Sequence, residues 1–287
     1  MSGFYRAYAQ LLAARTTAKV SALMRGSRTD RDLPLKLRIG GSILFNDPTK
    51  SILAAGAGHL VRFPASGVAK IVAWGSMRYL GRHTINRFYL DTGDAADDLI
   101  LQVVVGSDGL VYNDEIRLLR LVREITPSSA DEWTIWLPGA KGFREQQLRE
   151  LGWTKVQIQA QLDQEYPDGQ DRYLIGQSVF DVPDEHNPSA PLTRYYRIWP
   201  KEGAEFVEPI EFDESLHTDP WAQPISVTHR AMLYGRTLTA PQGSEGITFP
   251  DEWMWLQASE VGDEARVQLL AGLSLATTDF AVVPPSA

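Results

Sequence analysis

Short stretches in which apolar and polar residues alternate dominate the chain from residue 33 onward. Leu33–Ile39 alternates Leu and Ile with Pro34, Lys36 and Arg38, which is typical of a strand with one buried face. Further candidate strands follow at close spacing, separated by clusters of Gly, Pro, Asn, Asp and Ser. They cover residues 42–45, 51–55, 59–63, 68–74, 77–80, 85–90 and 99–105. Such spacing predicts an antiparallel sheet or barrel rather than βαβ units.

The second half of the chain repeats this strand-rich pattern. Its predicted strands are 173–179, 192–199, 225–238, 252–258 and 265–275. Gly262-Asp263 is the predicted hairpin turn between the last two. Residues 114–125 fit either a helix or a strand, and we favour a strand because Thr126-Pro127 ends the pattern. The alternating acids of residues 208–213 are typical of an exposed strand face.

Two segments have helical patterns instead. Residues 3–25 are rich in Ala, and residues 142–165 are rich in Glu, Gln, Leu, Lys and Arg. We expect Gly152 to separate two helices in the second segment and Thr154 to cap the later one. The sequence therefore predicts an α+β fold, mainly antiparallel β with an N-terminal helix and a helical insert.

These patterns divide the chain into four segments. We expect a basic N-terminal helical segment over 1–29, a β-rich half over 30–140, a helical insert over 141–170 and a second β-rich half over 171–287. The pattern is equally compatible with a single domain that spans 30–287.

Composition excludes several functional classes. The 287 residues include no cysteine, which excludes disulfide scaffolds, thiolate metal sites and cysteine nucleophiles. A net charge of −8 is unsuited to binding duplex nucleic acid. No apolar run reaches the length of a membrane span, and the N-terminus lacks the apolar core of a secretory signal. We therefore expect a cytoplasmic protein without a nucleic-acid partner.

Motifs of catalysis and metal binding are absent from the sequence. The five histidines show no metal-ligand spacing, and neither a P-loop nor a GxSxG nucleophile elbow occurs. The acidic loop of residues 91–98 lacks the spacing of a calcium loop. We expect no cofactor and no metal site, and we favour a non-catalytic role. The alternative is an enzyme whose carboxylates occupy a groove between the two β-rich halves.

Charge is unevenly distributed along the chain. Residues 1–29 carry a net charge of +5 and the remainder carries −13. The basic and apolar residues of this segment are candidates for contact with a protein partner or an anionic membrane surface. They are Phe4, Arg6, Tyr8, Leu11, Arg15 and Lys19. The alternative is a helix that packs on its own acidic body.

Five motifs give the sequence a family resemblance. They are Leu33-Pro-Leu-Lys-Leu-Arg-Ile-Gly-Gly41, Arg87-Phe-Tyr-Leu-Asp91, Leu101-Gln-Val-Val104, Ile125-Thr-Pro-Ser-Ser-Ala-Asp-Glu-Trp133 and Ala231-Met-Leu-Tyr-Gly-Arg236. Together they resemble the bacterial YjfK-like family of unknown function, across most of residues 33–275. That family has no assigned catalytic residues. Its members tend to be encoded beside a PspA-like membrane-stress coiled-coil protein and small membrane proteins, so the resemblance implies a cytoplasmic accessory role at the inner membrane.

The polar residues within these motifs are the remaining candidates for a site. They are Arg87, Asp91, Glu132, Tyr234 and Arg236, which either pair internally or line a shared groove. Our hypothesis from the sequence is a protein-binding adaptor, linked to a PspA-like module, that docks through its N-terminal helix or a sheet edge. The alternatives are the carboxylate enzyme and a peripheral membrane protein that binds through residues 1–29.

Overall fold

The structure, a computed structural model, consists mainly of antiparallel strands. It describes residues 28–48, 59–79, 83–94, 98–129, 132–133, 136, 148–149, 151–165, 175, 177–182, 192–198, 209–236, 251–261 and 264–285. The described strands are β1 (Ser42–Phe45), β2 (Val68–Tyr79), β3 (His83–Asp91), β4 (Asp98–Val105), β5 (Ile116–Ile125), β6 (Val179–Val182), β7 (Thr193–Arg197), β8 (Ile210–His217), β9 (Ile225–Arg236), β10 (Glu252–Val261), β11 (Glu264–Leu275) and β12 (Phe280–Val283). One α-helix has described bounds, α1 (Lys155–Glu165).

Eight of these strands close into an antiparallel barrel. Their order around it is β2, β3, β4, β5, β11, β10, β9 and β8, and β8 pairs again with β2. The closing strand β8 contacts only part of each neighbour, residues 74–77 of β2 and residues 225–231 of β9. Strands from the first and second halves of the sequence meet at two junctions, β5 with β11 and β2 with β8.

Alternate residues of the barrel strands point into the interior, because successive side chains of a strand face opposite sides. The inward apolar residues form one cluster together with the residues that β8 contributes. It contains Ala73, Met77, Ile85, Tyr89, Ile100, Val104, Leu119, Phe212, Leu216, Val227, Ala231, Trp255 and Leu270. The interior of the barrel is thus largely filled by side chains, as expected for eight strands.

Much of the outer face of the barrel is also buried, by the rest of the chain. Beyond the short strand β8, β2 pairs with β1 and β9 pairs with β7. Strands β12 and β6 then form the two edges of the sheet. Residues of these outer strands pack with outward residues of the barrel in a second apolar cluster that includes Ile43, Phe180, Tyr195 and Phe280. Much of β3, β4 and β10 is therefore buried on both faces, which explains the nearly continuous apolar sequence of β4.

The expected α+β class is wrong. The fold is a closed antiparallel barrel, and within the described residues the helical insert predicted over 141–170 is represented mainly by the 11 residues of α1. The predicted N-terminal helix falls in residues 1–27, outside the described residues. Within the described residues, the apolar strand faces are covered mainly by other strands, so the helix-forming composition of residues 141–170 did not determine the class.

The predicted strand over Leu33–Ile39 is also wrong. This segment contains a 3-10 turn at Pro34–Lys36, in which Leu35 and Lys36 have φ values of 56° and 59°. Pro34 cannot donate to a strand ladder, and its carbonyl instead accepts a hydrogen bond from the Leu37 N–H at 3.1 Å. Leu37 is nevertheless fully buried, so the alternation marked contact with the core rather than a strand.

Several local predictions are confirmed. Strands form at 42–45, over 116–125 and in the hairpin of β10 and β11. Thr154 caps α1, since its hydroxyl accepts a hydrogen bond from the Gln157 N–H at 3.4 Å while the Gln157 side chain accepts one from the Thr154 N–H at 3.0 Å. Gly152 has a φ of 81° and ends the turn before this cap.

Candidate functional site

A layer of polar side chains crosses the interior of the barrel. Arg87 on β3 is fully buried and donates hydrogen bonds to Gln102 on β4 at 3.1 Å and to Gln257 on β10 at 2.9 Å. Gln257 donates in turn to Gln268 on β11 at 2.8 Å and to Ser259 at 3.3 Å. We call these five residues, together with Tyr89, Glu214 and His229, the polar layer.

The acidic end of the polar layer is centred on Glu214 of the closing strand β8. The Tyr89 hydroxyl donates to the Glu214 carboxylate at 2.7 Å, and His229 Nε2 lies 2.8 Å from its other oxygen. The second ring nitrogen of His229 lies 2.8 Å from the Ser259 hydroxyl. Ser259, His229 and Glu214 are the residue types of a hydrolase triad, yet all three are buried and none lines the cavity described below. Their arrangement therefore holds the barrel together and does not expose a nucleophile.

Protonation in this group follows from burial and hydrogen bonding. Burial opposes ionisation of Glu214, but hydrogen bonds from His229 and Tyr89 and the charge of Arg87 outweigh it and hold the Glu214 pKa below its ordinary value. Burial also lowers the pKa of His229, and the Arg87 charge acts in the same direction. A neutral His229 can donate a hydrogen bond from Nε2 to Glu214 and accept one from the Ser259 hydroxyl at Nδ1, so both ring nitrogens have a partner.

A cavity of about 310 Å³ opens at one end of the barrel, directly beside the polar layer. Its apolar lining comes from inward residues near the ends of the strands, Ile85, Val104, Ile210, Ala231, Leu233 and Trp255, together with Met232. Gln102 belongs both to the cavity lining and to the polar layer. The Arg87 guanidinium lies 5.1 Å from the Trp255 ring centre, a cation–π contact just under the cavity.

The remaining lining of the cavity is polar and aromatic. Arg117 and Glu115, at the start of β5, form an ion pair with an N–O distance of 2.6 Å. The Arg117 guanidinium also lies 4.9 Å from the Trp253 ring centre. The rings of His83 and Tyr112 are in edge contact, with centroids 5.5 Å apart. These groups form a polar rim around an apolar interior, the usual arrangement of a small-molecule site.

A second buried polar cluster lies on the outer face of the barrel. The Glu252 carboxylate accepts hydrogen bonds from Arg236 at 2.8 Å, from the Tyr195 hydroxyl at 2.8 Å and from the Leu60 N–H at 2.7 Å. It therefore fastens segment 59–63 and strand β7 to the barrel. His59 lies next to this cluster, and burial lowers its pKa.

The structure separates the five polar residues that the sequence analysis placed in one group. Arg87 belongs to the polar layer inside the barrel, whereas Tyr234 and Arg236 belong to the outer face, Tyr234 in its apolar cluster and Arg236 bound to Glu252. Asp91 ends β3 and accepts a hydrogen bond from the Gly93 N–H. Glu132 is exposed and accepts a hydrogen bond from the Ser128 N–H.

The other predicted contact residues lie outside the described residues. They are Phe4, Arg6, Tyr8, Leu11, Arg15 and Lys19. In the part of the chain that the structure describes, no group of three or more His, Asp or Glu side chains is placed to hold a metal ion. None of the helices described has the length and apolar character needed to cross a bilayer.

Sequence reasoning missed the residues that form the cavity. The sequence motifs point to none of Tyr112, Glu115 and Arg117, which belong to the lining of the cavity. A signal was nevertheless present, because Gln102, Gln257 and Gln268 each have apolar residues on both sides in the sequence and are buried. A buried amide in such a run requires polar partners, and three of them indicate a shared polar interior.

Comparison with protein-family models, with curated proteins and with solved structures finds no match. The resemblance to the YjfK-like family therefore stays a prediction.

Proposed function

We propose that the protein binds a small, largely apolar molecule in the cavity at the end of its barrel. An eight-stranded barrel is either filled by side chains or able to hold one small ligand. Here apolar side chains and the polar layer fill most of the interior, while one end keeps about 310 Å³ open. That opening is the observation that carries the proposal, because close-packed interiors seldom leave such space unused.

The size and lining of the cavity indicate the kind of molecule it would take. Ligand pockets commonly measure about 300–1,000 Å³, so this one is small. It is about twice the size of an engineered cavity of about 150 Å³ that admits benzene. A molecule of about two fused rings matches this volume, and the apolar lining with the Trp255 ring suits an aromatic or alicyclic body.

The carboxylate enzyme is less well supported than a binding role. Among the described residues, Glu115 is the one carboxylate in the cavity lining, and it already pairs with Arg117. Glu214 is buried among Tyr89, His229 and Ser259 and does not line the cavity. Acid–base catalysis by two carboxylates needs both within reach of one substrate, which this cavity does not offer.

The neutral fluorescent probe N-phenyl-1-naphthylamine tests the binding function. We expect its fluorescence to rise on addition of the protein, and Leu233→Trp, which fills the cavity, to weaken binding at least about tenfold. Leu192→Trp is the matched control, since Leu192 is exposed before β7 and should leave binding unchanged. Failure of the protein to bind either this probe or smaller naphthalene derivatives, or equal binding by the Leu233→Trp variant with an unchanged melting temperature, would overturn the proposal.

The protein-binding adaptor remains a second proposal, with its docking element in residues 1–29. One observation supports it: residues 28–30 are fixed to the body of the protein. Asp30 is fully buried and binds Arg28 at 2.8 Å, while the Thr29 N–H donates to the Pro220 carbonyl at 2.8 Å. The predicted docking segment is therefore joined to residues that are fixed to the body of the protein.

Binding to a purified PspA-like coiled-coil protein tests the adaptor proposal. We expect the full chain to bind it and a deletion of residues 1–27 to lose that binding while the barrel stays folded. Equal binding by both forms would contradict docking through this segment. Salt-sensitive binding of the full chain to anionic vesicles, without binding to the protein, would instead support the peripheral membrane alternative.

A further inference from the structure

We infer that the ligand of the barrel cavity is a carboxylic acid whose carboxylate contacts Arg117. This inference rests on the binding function proposed above and specifies the ligand class. It follows from a surplus of hydrogen-bond donors around an otherwise apolar cavity.

The polar atoms left without a partner at the cavity are mainly donors. Among the described residues, Arg117 Nε, Trp255 Nε1 and Arg87 Nη2 are buried and have no hydrogen-bond partner. Arg117 and Trp255 line the cavity, and Arg87 lies beneath it against the Trp255 ring. Each of these atoms can only donate. A buried donor without an acceptor is costly, so a ligand that supplies acceptors gains affinity by satisfying them.

On the described side chains of the lining, the Gln102 and Glu115 acceptors are already engaged, whereas His83 Nδ1 is buried without a partner and can donate or accept. Gln102 Oε1 accepts from Arg87, and the Glu115 carboxylate accepts from Arg117 Nη2. A neutral ligand with donor groups would therefore find few partners here. A carboxylate offers about four acceptor positions and suits a guanidinium, which makes it the best complement to this donor set.

Charge around the cavity agrees with an anionic ligand. Arg117 and Arg87 are positive and Glu115 is negative, while the Glu214 charge is held by Tyr89 and His229 deeper in the barrel. Arg117 is only 9% exposed, whereas the Glu115 side chain is 40% exposed at the rim. A ligand carboxylate can thus replace Glu115 on Arg117 while Glu115 turns towards solvent. Glu115 acts in this arrangement as a competitor that the ligand displaces.

Two probes of nearly equal shape distinguish an acid site from a purely apolar one. We expect 2-naphthoate to bind the full chain at least about tenfold more tightly than neutral 2-naphthalenemethanol at pH 7, as one charge-assisted contact would provide. The Arg117→Gln variant should lose this preference, so that the two probes bind it with affinities within about twofold of each other. Arg123→Gln removes an exposed arginine from the same strand and should keep the preference.

The Glu115→Gln variant tests the same idea without removing a buried group. It eliminates the competing carboxylate, so we expect the affinity for 2-naphthoate to rise relative to the affinity for 2-naphthalenemethanol. Equal affinity of the wild type for the two probes, or a preference that survives Arg117→Gln, would overturn the acid assignment while the binding function stands. If neither naphthalene probe nor the neutral amine probe binds, the proposed function itself fails and the acid assignment fails with it.

Discussion

Single residues in the polar layer show how this barrel tolerates charge in its interior. An isolated buried charge is strongly unfavourable unless hydrogen bonds or an opposite charge compensate it. Arg87 is compensated by the amides of Gln102 and Gln257, and Glu214 by Tyr89 and His229. The layer therefore depends on each side chain keeping its position. A small change in side-chain volume next to it should strongly lower the free energy of unfolding.

Gly75 on β2 is the clearest such position. A Cβ atom built there would lie 1.7 Å from Glu214 Oε1, and the carboxylate cannot retreat without leaving Tyr89 and His229. We expect Gly75→Ala to lower the free energy of unfolding by about 2–3 kcal/mol, measured by urea denaturation. In a Glu214→Ala background the same substitution should cost much less, because the clashing atoms are gone. Equal costs in both backgrounds would show that Gly75 is not there to accommodate Glu214.

At the scale of elements, the Glu252 cluster holds the outer layer to the barrel. Glu252 opens β10, and its contacts reach β9 through Arg236, β7 through Tyr195 and segment 59–63 through the Leu60 N–H. One fully buried carboxylate thus joins three parts of the chain that are distant in sequence.

We expect Glu252→Gln to destabilise the protein by about 2–3 kcal/mol. Arg236 would lose the Glu252 charge with which it pairs, and because Arg236 is partly exposed the cost should be smaller than for a fully buried pair. Hydrogen exchange should also show lost protection at the Leu60 and Val61 amides. Asp181→Asn is the matched control, because its pair with Arg194 lies on the exposed surface of β6 and β7 and should contribute little. Similar effects of the two substitutions would contradict a fastening role for Glu252.

Elements with a purely local signal were predictable from the sequence. The hairpin of β10 and β11 and the cap of α1 depend on residues a few positions apart, and both are confirmed. The strand predicted over Leu33–Ile39 failed, since its alternation reflects contact with the core while Pro34 directs a turn. The sequence also did not indicate which acids of β8 are buried. Glu211 and Asp213 are exposed as expected, but the adjacent Glu214 is buried.

For the whole molecule, closure of the barrel decides where the candidate site lies, and closure has no local signal. It depends on pairing β2 with β8 and β5 with β11, strands separated by more than a hundred residues. Without these pairings, Arg87, Tyr234 and Arg236 look like members of one polar group. The closed sheet instead places Arg87 inside the barrel and Tyr234 and Arg236 outside it. Closure also brings together the residues that line the cavity, which no sequence motif connects.

The same closed interior makes the stability of the whole barrel depend on pH. Burial lowers the pKa of His229, so below the ordinary histidine pKa of about 6.5 the unfolded chain binds a proton that the folded protein excludes. Because the unfolded state then binds more protons, the free energy of unfolding should fall as the pH is lowered from 7 to 5. His59 and His217, whose pKa values burial also lowers, act in the same direction.

The His229→Gln variant isolates the contribution of the polar layer to this pH dependence. Glutamine can still donate to Glu214 but takes up no proton. Because it loses the contact of the His229 ring with the Phe212 ring, whose centroids lie 5.4 Å apart, the variant should be less stable than the wild type at pH 7. Its stability should then fall less steeply between pH 7 and pH 5, with a residual slope from His59 and His217. Urea denaturation at several pH values measures both slopes. Identical slopes in the two proteins would mean that His229 takes up its proton as readily inside the barrel as in the unfolded chain.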